Sequence, residues 1–168
     1  MKTLLVMRHA KSDWNADYGS DHERPLNQRG ARSARLMGRV LAADAQEPDL
    51  VITSTAVRAR STAVLAEEAG QWQSDVVLEP NLYGTGVDAA VQVASAAPDV
   101  DRLMLVGHQP TWSSLISALT GDRVEMKTAT VAIIDFAIEE WARFPSARGE
   151  VVGTYQPGDY IDGEYDHD

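Results

Sequence analysis

The chain has 168 residues and a mass of 18.3 kDa, with 15 Lys+Arg against 25 Asp+Glu for a formal net charge of −10, and it contains no cysteine. A chain of this length buries about 70% of the surface its unfolded form exposes, enough for one domain without covalent staples. The missing cysteines exclude disulfide scaffolds, thiolate zinc sites, iron–sulfur clusters and a catalytic thiol. The acidic balance argues against a broad grip on nucleic acid or an anionic membrane, which needs many cations on one face. Of the 15 basic residues, 12 are arginine, the side chain suited to two-pronged binding of phosphate or carboxylate oxygens.

In chain order, the apolar stretch of residues 4–7 is too short for a signal-peptide core of about 7–15 residues. No segment approaches the roughly 20 apolar residues of a membrane span. The expected location is the cytoplasm. Residues 3–7, 49–53 and 102–106 are short aliphatic runs that read as buried strands. Residues 28–43 carry Ala34, Met37, Val40 and Leu41 at helical spacing on one face and Arg29, Arg32, Arg35 and Arg39 on the other. Residues 56–70 predict a second helix stopped at Gly70, and Pro110 starts another that ends before Thr120 and Gly121.

Residues 76–78 predict a further strand, and residues 87–97 a further helix ended by Pro98. Residues 130–138 and 151–155 predict two strands of a flanking hairpin. Alternating strands and helices define an α/β/α three-layer sandwich on a mostly parallel sheet, with no large cap domain. The expected domain covers residues 1–156. Residues 157–168, with Asp159, Asp162, Glu164, Asp166 and Asp168 and no Lys or Arg, read as a mobile acidic tail.

Ligands of open α/β sheets sit beyond the carboxyl ends of the strands. Directly after the three strongest strand runs come Arg8-His9-Ala10-Lys11-Ser12, Ser54-Thr55-Ala56-Val57-Arg58, and Gly107-His108-Gln109-Pro110. Two arginines and two histidines therefore converge on one sheet edge. Arginines supply paired donors to phosphate oxygens, and a neutral imidazole with one free ring nitrogen is a nucleophile. That combination suits phosphoryl transfer through a phosphohistidine intermediate, with no metal or cofactor needed.

Leu5-Val6-Met7-Arg8-His9-Ala10, followed by Ser12, Trp14 and Asn15, resembles the Arg-His-Gly signature of the histidine phosphatase superfamily, which includes phosphoglycerate mutases and acid phosphatases. With Asp21-His22-Glu23-Arg24-Pro25-Leu26-Asn27-Gln28-Arg29-Gly30 and Val57-Arg58-Ala59-Arg60-Ser61-Thr62, the chain is most similar to the SixA-type phosphohistidine phosphatase branch. The resemblance implies a phosphoglycerate mutase-like fold. It makes His9 the nucleophile and Arg8, Arg58 and His108 the groups that hold the phosphoryl oxygens. It also implies substrate contacts from Asn15 and Ser12, while Gln109 could offer a backbone N–H to an anion. The implied substrate is a phosphorylated protein or a small phosphate ester.

Ala10 stands where the family pattern has glycine, which is tolerable unless that backbone needs a positive φ. Many relatives carry a proton-donating glutamate in the region of Glu79-Pro80-Asn81, making Glu79 the possible general acid. If that acid is weak or absent, phosphohistidine is favoured, because a departing imidazole needs less proton donation than an alkoxide. Competing readings are a small-molecule phosphomonoesterase, a non-catalytic phosphate-binding module, and a metal hydrolase ligated by His9, His108 and Asp13. Against the last, Arg8 and Arg58 would repel a cation. Of the tryptophans, read as packing residues, Trp14 and Trp112 follow the catalytic loops and are candidates for the pocket wall. His22 and His167 read as solvated.

Overall fold

A computed structural model describes residues 1–161. Six strands form one sheet: β1 (Lys2–Arg8), β2 (Leu50–Ser54), β3 (Asp75–Glu79), β4 (Arg102–Gly107), β5 (Val131–Phe136) and β6 (Glu150–Tyr155). Their order is β3-β2-β4-β1-β5-β6. The first four in this order run parallel, and β5 and β6 are antiparallel additions at one edge. β1 is buried from Lys2 to Met7 because its side chains feed two cores. Leu4 and Val6 pack on one face of the sheet, and Leu5 and Met7 on the other, as the two-residue period of a strand requires.

The helices α1 (Gln28–Ala43) and α2 (Val57–Gly70) cover the face with Leu5 and Met7, while α3 (Val87–Ser95) and α4 (Thr111–Thr120) cover the other. This is the expected three-layer sandwich. Asn27 caps α1 by accepting the Gly30 N–H at 2.7 Å, and Ala34, Met37, Val40 and Leu41 are buried as their spacing predicts. The two helices cross closely. A Cβ on Gly38 would strike the carbonyl oxygen of Ala66, and one on Gly70 would strike that of Gly38. Gly70 therefore serves this close approach, and the left-handed residue that ends α2 is Gln71, φ 54°.

β2, β4 and β1 are neighbours, so the segments leaving their carboxyl ends lie side by side. The segment expected as a mobile tail begins differently: Pro157–Asp159 forms a short 3-10 turn with Pro157 buried, packed against α1. The remainder of that segment, residues 162–168, including His167, lies outside the described residues. The close crossing predicts that Gly38→Val lowers the urea unfolding midpoint by an amount worth about 1–3 kcal/mol. Gly158→Ala, whose Cβ meets nothing within 4 Å, should change stability by less than about 0.5 kcal/mol.

Candidate active site

His9 follows β1, with its N–H on the Gly107 carbonyl of β4 at 3.0 Å and its own carbonyl accepting the Ala129 N–H at 3.1 Å. These bonds fix the backbone on both sides of the ring. Its Nδ1 lies 2.7 Å from the Ala10 carbonyl oxygen. A carbonyl only accepts, so Nδ1 carries the proton and Nε2 keeps its lone pair. The ring is 8% exposed. Burial pushes its pKa down to about 3 against a weaker upward pull from the Ala10 carbonyl, and the positive potential of His108, Arg58 and Arg8 lowers it further. His9 is thus a neutral, oriented base at ordinary pH.

Ala10 is fully buried, and its N–H donates to Thr62 Oγ1 at 2.9 Å; the Thr62 hydroxyl donates in turn to the Arg58 carbonyl at 2.7 Å. A single α2 side chain therefore couples the His9 loop to the helix that supplies Arg58. Ala10 has no positive φ, which explains why it can replace glycine.

Three arginines line the same cavity. Arg8 donates through Nη1 to the Met126 carbonyl at 3.0 Å. Arg58, 6% exposed, donates through Nη1 to the Asp21 carbonyl at 2.7 Å and through Nη2 to the Asp21 carboxylate at 3.0 Å. Arg24 reaches the other Asp21 carboxylate oxygen at 3.1 Å and also donates to Ser12 Oγ. The Tyr83 hydroxyl donates to Asp21 at 2.8 Å. Partial burial alone would raise the Asp21 pKa, but the donors Tyr83, Arg24 and Arg58, with the charge of Arg58, hold it at about 2. Asp21 is an ionised brace between two cations.

His108 follows β4, its ring 5.3 Å from that of His9. A 2.8 Å hydrogen bond joins its Nε2 to the Ser54 hydroxyl, at the end of β2. Burial and the nearby Arg58 lower its pKa to about 4, with Asp21 opposing. Tyr83 sits edge-on to both His108 and His22. His9, His108, Asp21, Tyr83 and the three arginines line an open cavity of about 480 Å³.

The structure brings His9, Arg8, Arg58, His108, Ser12 and Gln109 to this cavity. Asn15 is exposed and outside the lining, its N–H turned onto the Asp13 carboxylate at 2.9 Å. Glu79 is also outside. It accepts the Asn81 N–H at 2.9 Å and caps the short turn after β3, so its carboxylate serves that turn and is not presented as a general acid. Asp13 does not line the cavity, and no group of three or more metal-binding side chains occurs among the described residues. Trp14 does wall the pocket, whereas Trp112 is buried with its N–H on the Met7 carbonyl. His22 is hydrogen-bonded to Thr55 at 2.8 Å, not simply solvated. The sequence reading gave no roles to Asp21, Arg24 and Tyr83, although the first two stand in the segment that carries the family resemblance.

A model of the histidine phosphatase superfamily (branch 1) matches residues 4–85. A putative phosphohistidine phosphatase SixA from Nakamurella multipartitia superposes with a TM-score of 0.81 at 28% identity, covering 93% of this chain and 96% of that one. Its counterpart from Agrobacterium tumefaciens gives 0.78 at 25% identity, covering 94% and 99%. An uncharacterised protein of Mycobacterium tuberculosis is 34% identical over 163 residues, 90% of this chain and 99% of that one. The chain belongs to the histidine phosphatase superfamily, in its SixA-like branch. A 2,3-bisphosphoglycerate-dependent phosphoglycerate mutase of Thermobifida fusca is 42% identical over 73 residues, but these make up only 30% of that enzyme.

Two outcomes follow from this geometry. Asp21→Ala should lower kcat/KM by about 10²-fold, because freed arginines no longer meet the phosphoryl group in register; steady-state kinetics beside a circular dichroism check of folding measures it. His9 and His108 are held neutral with pKa values near 3 and 4. Between about pH 6.5 and 4 the unfolded chain therefore binds more protons at these positions, and stability falls as pH falls. His108→Asn should lose less stability than wild type across that window in urea titrations.

Proposed function

We propose that this enzyme, whose catalysis is of the histidine-phosphatase type, takes as its substrate phosphohistidine carried by a protein. One observation carries this reading: among the described residues Asp21 is the only carboxyl group lining the cavity, and three donors keep it ionised. With Glu79 capping its own turn, the described residues present no carboxylic acid in the cavity for protonating a leaving alkoxide. An imidazole with a proton on its second ring nitrogen leaves as a neutral molecule and needs no such help. The cavity is also open to solvent, which suits a side chain on a protein surface.

His9 Nε2 attacks phosphorus with its lone pair as the bond from phosphorus to the leaving imidazole nitrogen breaks and its electron pair returns to that nitrogen. Arg8, Arg58 and His108 hold the equatorial oxygens, where charge is spread in the transition state. Water then attacks phosphorus, the bond to Nε2 breaks, and phosphate departs with the water's oxygen. His9 recovers its lone pair. Ser12 fixes Arg24 at the rim, and Gln109 takes the start of α4, where its side chain accepts the Ser113 N–H at 2.8 Å.

Phosphate release from a phosphohistidine protein and from aryl and alkyl phosphates, in excess chelator, tests this reading. The expected result is turnover that survives chelation, is fastest on phosphohistidine and vanishes in His9→Ala. Arg8→Ala and Arg58→Ala should each lose about 10²–10³ in rate. Equal rates on alkyl phosphate and phosphohistidine would overturn the substrate. Full activity in His9→Ala would overturn the mechanism, and binding without turnover in wild type would make the protein a phosphate-binding module.

A further inference from the structure

Four tryptophans occur in the chain, and three are structural. Trp72, Trp112 and Trp141 are buried, and each donates its indole N–H to a main-chain carbonyl, of Gly38, Met7 and Val100 respectively. Trp14 departs from that pattern. It is 69% exposed, and its N–H has no partner among the described residues. Exposing so large an apolar ring carries a cost that burial by a ligand removes. Nor is the ring left to swing freely: the Arg24 guanidinium lies 3.6 Å from its centroid, and Arg24 is itself held by Ser12 and Asp21. One face is thus backed by a fixed cation, and the other is open.

The direction of the reaction gives that open face a use. His9 is buried at the floor of the cavity, and Trp14 stands at its rim. In an in-line displacement the leaving group lies on the far side of phosphorus from the nucleophile. The leaving group of a substrate bound over His9 therefore points outward, toward the exposed part of the cavity lining, which includes Trp14.

We propose that Trp14 is a specificity-determining residue whose open indole face stacks on the planar ring of the leaving group, the imidazole of phosphohistidine. This rests on the phosphohistidine reading and deepens it. Arg8, Arg58 and His108 recognise only the phosphoryl group, which every phosphorylated compound shares. Trp14 recognises what the phosphoryl group is attached to. Aromatic pairs of this kind are worth a modest factor in binding, about two- to tenfold.

The test compares two substrates with the same phosphorus–nitrogen bond, free N-phosphohistidine and phosphoramidate, which has no ring. The readout is the ratio of their kcat/KM values in wild type, Trp14→Phe, Trp14→Leu and Trp14→Ala. Trp14→Ala and Trp14→Leu should lower that ratio about two- to tenfold through KM for N-phosphohistidine, while Trp14→Phe keeps most of it. In the His9→Ala background, N-phosphohistidine should quench an indole emission that is missing when Trp14 is also Phe. A proportionate loss on both substrates would overturn stacking, because it would show Trp14 acting only through Arg24. An unchanged ratio in wild type and all three variants would overturn it too. A wild type that hydrolyses phosphoramidate but not N-phosphohistidine would instead overturn the substrate reading, and the stacking partner with it.

Discussion

The Asp21 carboxylate accepts hydrogen bonds from Arg58, Arg24 and Tyr83, and its main-chain carbonyl accepts another from Arg58. The arginine-lined cavity depends on this knot. Two cations about 4 Å apart near a protein surface repel by about 4 kcal/mol, so crowding three arginines into a pocket is unfavourable until a substrate anion arrives. Asp21 supplies standing negative charge at the side of the pocket and leaves the centre to the substrate. It also sets geometry, because the two-pronged contact with Arg58 fixes a planar fork and not merely a charge.

The same cationic surroundings account for the neutral, oriented ring of His9. His9 could be protonated only against burial and the potential of its neighbours, so it stays neutral, while the Ala10 carbonyl decides which nitrogen keeps the lone pair. The fold delivers both conditions through backbone contacts. Bonds to Gly107 and Ala129 lock the segment leaving β1, and the Thr62 hydroxyl links it to α2. Packing of β1 is thereby converted into the aim of one ring.

Much of this was legible in the chain. The aliphatic runs mark strands whose carboxyl ends meet, and that alone gathers Arg8, His9, Arg58 and His108, since each directly follows or closely trails a strand. The helix 28–43 was legible to the residue, because its cap and its apolar spacing are local signals. What failed were side chains whose roles are set by partners distant in sequence. Asp21 meets Arg58 and Tyr83, 37 and 62 residues away, and no local pattern announces such contacts. Glu79 lies near the right loop, but its carboxylate is caught in a local turn on the Asn81 N–H, and Asn15 is exposed and outside the cavity lining, with its main-chain N–H on the Asp13 carboxylate. At Gly70 the stop signal was real but one residue early, because the glycine is used for helix contact and Gln71 takes the left-handed turn.

The central claim is that His9 carries the phosphoryl group between substrate and water. Rapid-quench mixing with a phosphohistidine protein labelled on phosphorus, followed by peptide mapping, tests it most directly. The account predicts transient label on the peptide containing His9, stable to alkali and labile to acid, that forms and decays at rates consistent with turnover. Turnover with label that never appears on His9, or that appears on another residue, would contradict it.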